Sequence, residues 1–274
     1  MKVGDYAITF ACYNQVAYTR QLIDSLLDSG VDLARVIVVD NASTDDTRRY
    51  LETLPLGGRI FNRSNLGCGV AWNQGALALQ AEWTVVMNND ILVAPGWLEN
   101  LIGAAREHEL KIVSPSMIEG VLDYDFNEFA AAATVKMKSV LREGGRHAVC
   151  VGVHASVWAD VGYFRAVPTL WGYEDTLFFH EAERAGIAMG MTGSSWLHHF
   201  GSLTVKALKE ERGLAPERGL SARRSYRLLQ VPFFQRKLRK LRDKRQREHW
   251  RDRELAAFGM TMYGVRTNGH FKWL

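Results

Sequence analysis

The sequence predicts an α/β protein built on a doubly wound, mostly parallel sheet. Three observations carry that expectation. Residues 6–108 alternate strand and helix patterns four times; the strand patterns are continuous apolar runs; and those runs end in polar residues. A run without apolar/polar alternation marks a strand buried on both faces, as a parallel sheet with helices on each side requires. Ligands bind such sheets beyond the C-terminal strand ends. Three ends are chemically unusual here: Ala11–Asn14, Asp40–Asn41 and Asn88–Asp90.

In chain order, YAITFAC (6–12) is a short apolar strand closed by the turn signal Tyr13-Asn14-Gln15. Asp5 beside it, and the lack of a small-residue cleavage site, favour a first strand over a signal peptide. TRQLIDSLLDSG places Leu22, Ile23, Leu26 and Leu27 at helical spacing and stops at Gly30. Val36–Val39 is a buried strand, and STDDTRRYLETL opens with capping residues and becomes a helix. RIFNRSNLG is a short strand and loop, CGVAWNQGALALQ a helix, EWTVVMNND a buried strand, and PGWLENLIGAAREH a helix with proline near its start. The pattern loosens over 119–148, where a lid or acceptor-facing excursion is expected. AVCVGVHASVWADVGYF restores a strand and short helix. YEDTLFFHEAERAGI is an amphipathic helix opened by two acids, and AMGMTGSSWLHHFGS runs from a strand into a His-rich loop. The final aromatic and glycine-rich stretch either folds back on the body, covers the site or meets a partner.

Length and composition suit one large domain with an appendage. The chain has 274 residues, 47% apolar and 23% charged, ample for a sizeable core. No apolar run approaches the ~18–20 residues that span a bilayer. Cys12, Cys68 and Cys150 are odd in number and widely spaced, so they suggest neither a disulfide framework nor a zinc site, and a reducing, cytoplasmic setting is expected. The net charge of +4 hides an asymmetry: residues 204–253 hold 17 Lys and Arg against 6 Asp and Glu. The expected division is an acidic body over 1–203 and a basic, mainly helical extension over 204–274.

Four polar groups are candidates for chemistry. Asp40 follows four apolar residues and can accept from the ring N–H of a pyrimidine, or merely cap the next turn. Asp90 ends another strand and can ligate a hard cation, which usually takes one or two carboxylates with phosphate oxygens and water, or can form a strand-terminal turn. Glu174 and Asp175, after the aromatic Trp171-Gly172-Tyr173, suit a general base beside a sugar platform, or answer the dipole of a helix N-terminus. His198 and His199 offer imidazole ligands, and adjacent residues do not both easily face one ion.

Each signal is weak singly, but their order is specific. TFACYNQ, VVDNASTDDT, NRSNLGCGVAWNQGA, VVMNNDILVAPGWLENL, VGYFRAVPTLWGYEDTLFFHEAERAG and LHHFGSLT together resemble an inverting family 2 glycosyltransferase of the GT-A fold, over roughly residues 5–203. The resemblance implies a Rossmann-like, mostly parallel sheet flanked by helices, and transfer of a sugar from a nucleotide diphosphate to an acceptor hydroxyl on a polysaccharide, lipid-linked glycan or other polymer. It implies that Thr9, Ala11, Tyr13 and Asp40 line the nucleoside site. Asn65 and Asn73 would help to hold base, ribose or diphosphate, with Asn88 and Asn89 near ribose or donor sugar. Asp90 and His199 would meet Mg²⁺ or Mn²⁺, His198 being the reserve. Asp175 would be the base, supported by Glu174, with Trp171 and Tyr173 on the acceptor side. UDP- or dTDP-sugars fit the Asp40 reading best. Two departures stand out: the family's Asp-x-Asp metal motif begins here with Asn88, and Phe164-Arg165-Ala166 replaces a common Phe-Asp-Glu.

The basic run from Arg236 to Arg247, with Phe233, Phe234, Leu238 and Leu241, suggests an interfacial helix over 231–250 on an anionic membrane, with peripheral attachment at the inner face. Nucleic acid is the lesser alternative, and a helix packed on the body the plainest. A non-catalytic polyanion-binding scaffold is the competing function. A nucleotidyltransferase ranks third, because FACYNQVAYTR lacks a glycine-rich phosphate loop.

Overall fold

The computed structural model describes residues 5–166, 173–201 and 232–274. Strand β1 (Tyr6–Cys12), β2 (Val36–Asp40), β3 (Gly58–Phe61) and β4 (Trp83–Asn88) alternate with α1 (Val16–Asp28), α2 (Thr47–Glu52) and α3 (Cys68–Ala78). Then come β5 (Ile91–Val93), α4 (Trp97–Glu107), β6 (Ile112–Gly120), α5 (Phe126–Met137), β7 (Leu141–Glu143) and β8 (Cys150–His154). Helices α6 (Ala155–Asp160) and α7 (Glu174–Arg184) and strand β9 (Met189–His199) come next. The long α8 (Phe233–Phe258), β10 (Tyr263–Thr267) and β11 (His270–Trp273) end the chain.

The main sheet runs β11-β10-β6-β8-β4-β1-β2-β3, with β5, β7 and β9 attached off that path. Strand β1 pairs in parallel with both β2 and β4, so Cys12 lies beside Asp40 and Ala11 beside Asn88. Three strand C-termini therefore open at one edge. Antiparallel β8 interrupts the parallel set between β4 and β6.

Both faces are covered, as the unalternating strands predict. On one side Ile8, Phe10 and Val38 pack with Leu22, Ile23 and Leu26 of α1 and with Trp97 and Leu101 of α4. On the other, Ala11, Val39, Val86 and Val151 meet Ala71 and Trp72 of α3 and Phe178 of α7. In α1 the buried residues Thr19, Leu22, Ile23 and Leu26 follow i, i+3, i+4, i+7. Leu27, expected on that stripe, is exposed.

The structure differs from the sequence expectation in three regions. His198 and His199, expected in a loop, are the last residues of β9 and pair with β5. Residues 119–148 are not a loose excursion: β6 runs to Gly120, and α5 buries Phe126, Ala130, Ala133 and Met137 in a third cluster with Trp196. The alanines of α5 lie on both sides of it, Ala130 and Ala133 buried, Ala131 and Ala132 exposed. Its two faces therefore read alike in sequence. The boundary at 203/204 falls outside the described residues, but residues 260–274 belong to the body. Met260 and Met262 join the third cluster, and β10 pairs in parallel with β6. The hairpin β10–β11 turns at Asn268-Gly269, both with positive φ, the backbone that a two-residue Asn-Gly turn supplies. Among the described residues no helix is long and apolar enough to cross a membrane.

A buried ion pair fastens this last segment. The Arg142 guanidinium on β7 donates twice to Glu254 of α8, at 2.7 and 2.8 Å, and the Met262 N–H donates to the same carboxylate at 2.9 Å. Glu254 is fully buried and Arg142 nearly so. Removing one partner of such a pair strands the other charge in the interior. Glu254→Ala is expected to cost about 3–5 kcal/mol in urea unfolding. Replacing both residues together, Arg142→Met with Glu254→Leu, is expected to recover most of that loss.

Candidate active site

The loops after β1 and β2 are clasped to each other. Asn14 Oδ1 accepts from the Thr44 N–H at 2.7 Å, the Asn14 N–H donates to Ser43 Oγ at 2.8 Å, and the Val16 N–H that opens α1 donates to Asp45 at 3.1 Å. Asn14, Gln15 and Ala42 hold positive φ, a backbone that costs non-glycine residues energy and clusters at functional sites. Asp40 is buried and its Oδ1 accepts from the Ser43 N–H at 3.0 Å. The turn-capping role is thus filled by one carboxylate oxygen. Tyr13 lies half-buried in the same loop.

Helix α3 covers the next strand ends. Asn65 Oδ1 accepts from the Gly67 N–H at 3.0 Å and shapes the turn into the helix. Asn41, Asn62 and Gln74 form one amide network: Asn62 and Gln74 exchange two bonds of 2.9 Å, and Asn62 donates to Asn41 at 2.9 Å. Asn73, expected near the nucleotide, grips the Phe164 backbone instead. Its amide donates to the Phe164 carbonyl at 2.7 Å and accepts from the Phe164 N–H at 3.0 Å. Thr9 is not at the strand edge. It is buried in mid-strand beneath Gly75, where an added Cβ would lie 1.8 Å from its Oγ1. Ala11 also faces α3, packed with Ala71 and Trp72.

At the end of β4, successive side chains turn to opposite faces. Asn89 points inward and donates to Thr19 of α1 at 3.1 Å, which anchors the turn rather than facing a ligand. Asn88 is half-buried at the edge, next to Ala11. Asp90 is buried, with Oδ1 3.4 Å from His199 Nε2, and Glu119 Oε2 lies 3.6 Å from His199 Nδ1. Burial opposes a charge on this imidazole, but Asp90 and Glu119 outweigh it and lift its pKa to about 9. His198, fully buried, belongs to an aromatic nest: its Nδ1 meets the Tyr124 hydroxyl at 2.9 Å, and burial pushes it down to about 4. The two histidines therefore face different surroundings, and His199 is the one beside Asp90.

Helix α7 begins after Tyr173, itself at φ 86°. Trp171 lies outside the described residues. Glu174 is buried against Gly69, and its Oε2 has no hydrogen-bond partner among the described residues. Burial raises it to about 6. Asp175 is half-buried, accepts from the Thr176 N–H at 2.6 Å, and is also raised by burial. Cys68, the first residue of α3, reports how these groups meet. Its thiol is pushed up to about 12, first by burial and then by the negative charges of Glu174, Asp90 and Asp175. Carboxylates from two distant stretches of sequence are thus both felt at the start of α3.

Among the described residues no group of three or more His, Cys, Asp or Glu is arranged to hold a metal by itself. Asp90 and His199 nonetheless fit a hard divalent ion that arrives with phosphate oxygens and water: the carboxylates of Asp90 and Glu119 that favour a cation on the imidazole also favour a metal ion in place of its proton, which His199 must give up to become a ligand. Sequence reasoning missed Glu119 and Tyr263, whose hydroxyl donates to Glu119 at 3.0 Å. The strand pattern of KIVSPSMIEG, which carries Glu119, is obscured by Pro115. That proline sits at a register shift in β6, where a strand tolerates it. Tyr263 comes from the hairpin that the Asn-Gly pair signals.

Known proteins share this architecture. An "Uncharacterized glycosyltransferase" of Rickettsia felis is 24% identical over 183 residues, 61% of this chain and 30% of that protein. The chain thus spans under a third of that relative's length. Two solved structures share the fold. GalNAc-T7 with UDP, GalNAc and Mn²⁺ has a TM-score of 0.56 at 12% identity, covering 71% of this chain and 43% of its own. The mannosyltransferase PcManGT of Pyrobaculum calidifontis, with GDP-Man and Mn²⁺, has a TM-score of 0.54 at 20% identity, covering 76% and 61%. The family description "Glycosyl transferase family 2" matches residues 8–167, more than half of the sequence and all of the strand ends up to Asp90, and the chain belongs to that family.

Proposed function

We propose that the protein transfers a sugar from a nucleotide diphosphate to an acceptor hydroxyl in one inverting displacement, with a divalent cation held at Asp90 and His199. The observation that carries this reading is the buried Asp90–His199 contact of 3.4 Å just beyond β4, with Glu174 packed on the first turn of α3 at Gly69. The nucleoside side is the cradle of Tyr13, Asn14, Ser43 and Asp40. A carboxylate at Asp40 favours a uridine or deoxythymidine nucleotide, and fold neighbours bound to UDP and to GDP-Man support a nucleotide-sugar donor. Mg²⁺ or Mn²⁺, when bound, supplies Lewis-acid stabilisation of the departing diphosphate. Asp175 takes the proton from the acceptor hydroxyl as its oxygen attacks the anomeric carbon opposite the diphosphate. Glu174 braces the pair through its contact with α3, and Tyr173 borders the acceptor.

Asp175→Asn is expected to retain donor binding by calorimetry and to lose turnover by ~10²–10⁴-fold, the range for a general base. Unchanged turnover would remove Asp175 from that role.

The buried Glu174 sets a pH signature. A carboxylate whose folded pKa is raised costs stability once ionised. That penalty is absent below its unfolded value of 4.5, builds as pH rises to about 6, and persists above. Glu174→Gln is therefore expected to be more stable than the parent at pH 7, by about 2 kcal/mol, and the two to converge near pH 4. Urea melts at both pH values measure this.

The Tyr263–Glu119–His199 chain is expected to position the imidazole for metal. Groups behind a metal ligand typically change affinity by ~10–100-fold when removed. Tyr263→Phe is expected to weaken Mn²⁺ binding in the presence of a nucleoside diphosphate, read by electron paramagnetic resonance, while the melting temperature moves little. Asp90→Ala is expected to abolish that binding. Loss with Asp90→Ala alone would leave the metal assignment standing and remove Tyr263 from it.

A further inference from the structure

Helix α8 has two sides with different chemistry. One side is fastened to the body. Arg239 donates to His180 and ion-pairs with Glu183, Arg242 reaches Glu183 at 3.2 Å, and Glu254 holds Arg142. At about 100° per residue, Arg239, Arg242, Trp250 and Glu254 spread over this side. Phe233 and Phe234 fall away from it, and Leu238 and Leu241 border the open groove that α8 forms with His180 and Glu183; the four are 59%, 78%, 67% and 48% exposed. Exposed leucines elsewhere, such as Leu27, Leu66 and Leu77, are scattered over α1, a loop and α3, whereas these four lie on one half of a single helix. Lys237, Lys240, Lys244 and Arg245 fall among and beside them, and the Lys237 ammonium sits 5.3 Å from the Phe233 ring. Residues 236–247 contain eight Lys or Arg and a single acid.

We propose that the exposed face of α8 docks on an anionic lipid bilayer, Phe233 and Phe234 entering the headgroup boundary with the exposed parts of Leu238 and Leu241 at its margin, and its lysines meeting lipid phosphates. Charge complementarity selects this occupant. A protein partner for four exposed apolar residues does not require such a cation density. A nucleic acid uses the cations but leaves the paired phenylalanines and leucines in water. A helix with a cationic polar margin and an aromatic-aliphatic face is the form that lies in a membrane interface. The docked helix also bears on the site. Glu183, its anchor, stands near the C-terminus of α7, whose N-terminus carries Glu174 and Asp175, roughly 14 Å away at 1.5 Å per residue. On the transferase reading, a bilayer under α8 brings a lipid-linked acceptor hydroxyl within reach of the base.

The test is co-sedimentation of the full chain, without donor or metal, with vesicles of phosphatidylcholine alone and of phosphatidylcholine mixed with phosphatidylglycerol. Binding to the mixed vesicles only, weakening with salt, is the expected result. Lys237→Glu, Lys240→Glu and Lys244→Glu are each expected to weaken it roughly fivefold or more. Phe233→Ser with Phe234→Ser is expected to abolish it while the far-ultraviolet circular dichroism and melting temperature stay unchanged, since both rings are exposed. No sedimentation with anionic vesicles at low salt overturns the proposal. So does sedimentation indifferent to the phenylalanine change, self-association in solution that the same change abolishes, or an oligonucleotide that binds tighter than the vesicles. Because the assay needs no turnover, an inactive transferase would not alter its outcome.

Discussion

The close approach of α3 to its neighbours is the constraint on which the site depends. Gly75 lets the helix settle onto β1 with Thr9 directly beneath it, and Gly69 lets α7 come in until Glu174 lies against the helix. A Cβ at either position would need space already filled. With the helix seated, Glu174 packs against its first turn, Asn73 grips the backbone at Phe164, and Gln74 joins Asn62 and Asn41 in the amide network. Two missing methyl groups thus set the distances of α3 from β1 and from α7. The roles that the resemblance gave to Thr9 and Asn73 become supports for this contact.

The site gathers charge that the fold does not need. Glu174 is buried with one oxygen unpartnered among the described residues, Asp175 sits one residue on, and Asp90 shares His199 with Glu119. A stability-driven sequence would place neutral side chains at such positions. Non-glycine residues with positive φ at Asn14, Gln15, Ala42 and Tyr173 crowd the same edge. Backbone strain and buried carboxylates in one place are how a binding site for a cation and a polar substrate differs from ordinary protein interior.

Much of the fold was legible because strands buried on both faces leave continuous apolar runs, as in Val36–Val39 and Trp83–Met87. Parallel pairing then puts their polar successors at one edge. Helix α5 was less legible because Ala130 and Ala133 fill its buried side with little bulk, and β6 because Pro115 interrupts a strand pattern. The strand-end position of Asp90 and the helix-opening position of Glu174–Asp175 were legible because each is set by its immediate sequence neighbours. The site was not legible where alternation decides direction: Asn89 turns toward α1, and only the pairing of β5 with β9 sets His199 rather than His198 beside Asp90. Glu119 and Tyr263, 144 residues apart, share no sequence signal at all. The parallel pairing of β6 with β10 brings them together.

The placement of β10 orders events during synthesis. β6 carries Glu119, yet the edge of its last four residues, 117–120, is not paired until residues 263–266 arrive, and the Tyr263 hydroxyl arrives with them. At ~5–20 residues per second, the ribosome needs several seconds more to deliver those residues after the last residue of β9 has been made. During that interval the nascent chain has its strand ends, its two adjacent acids and its imidazole, but an open sheet edge beside Glu119. The surroundings of Glu119 are thus completed last, by the segment made last.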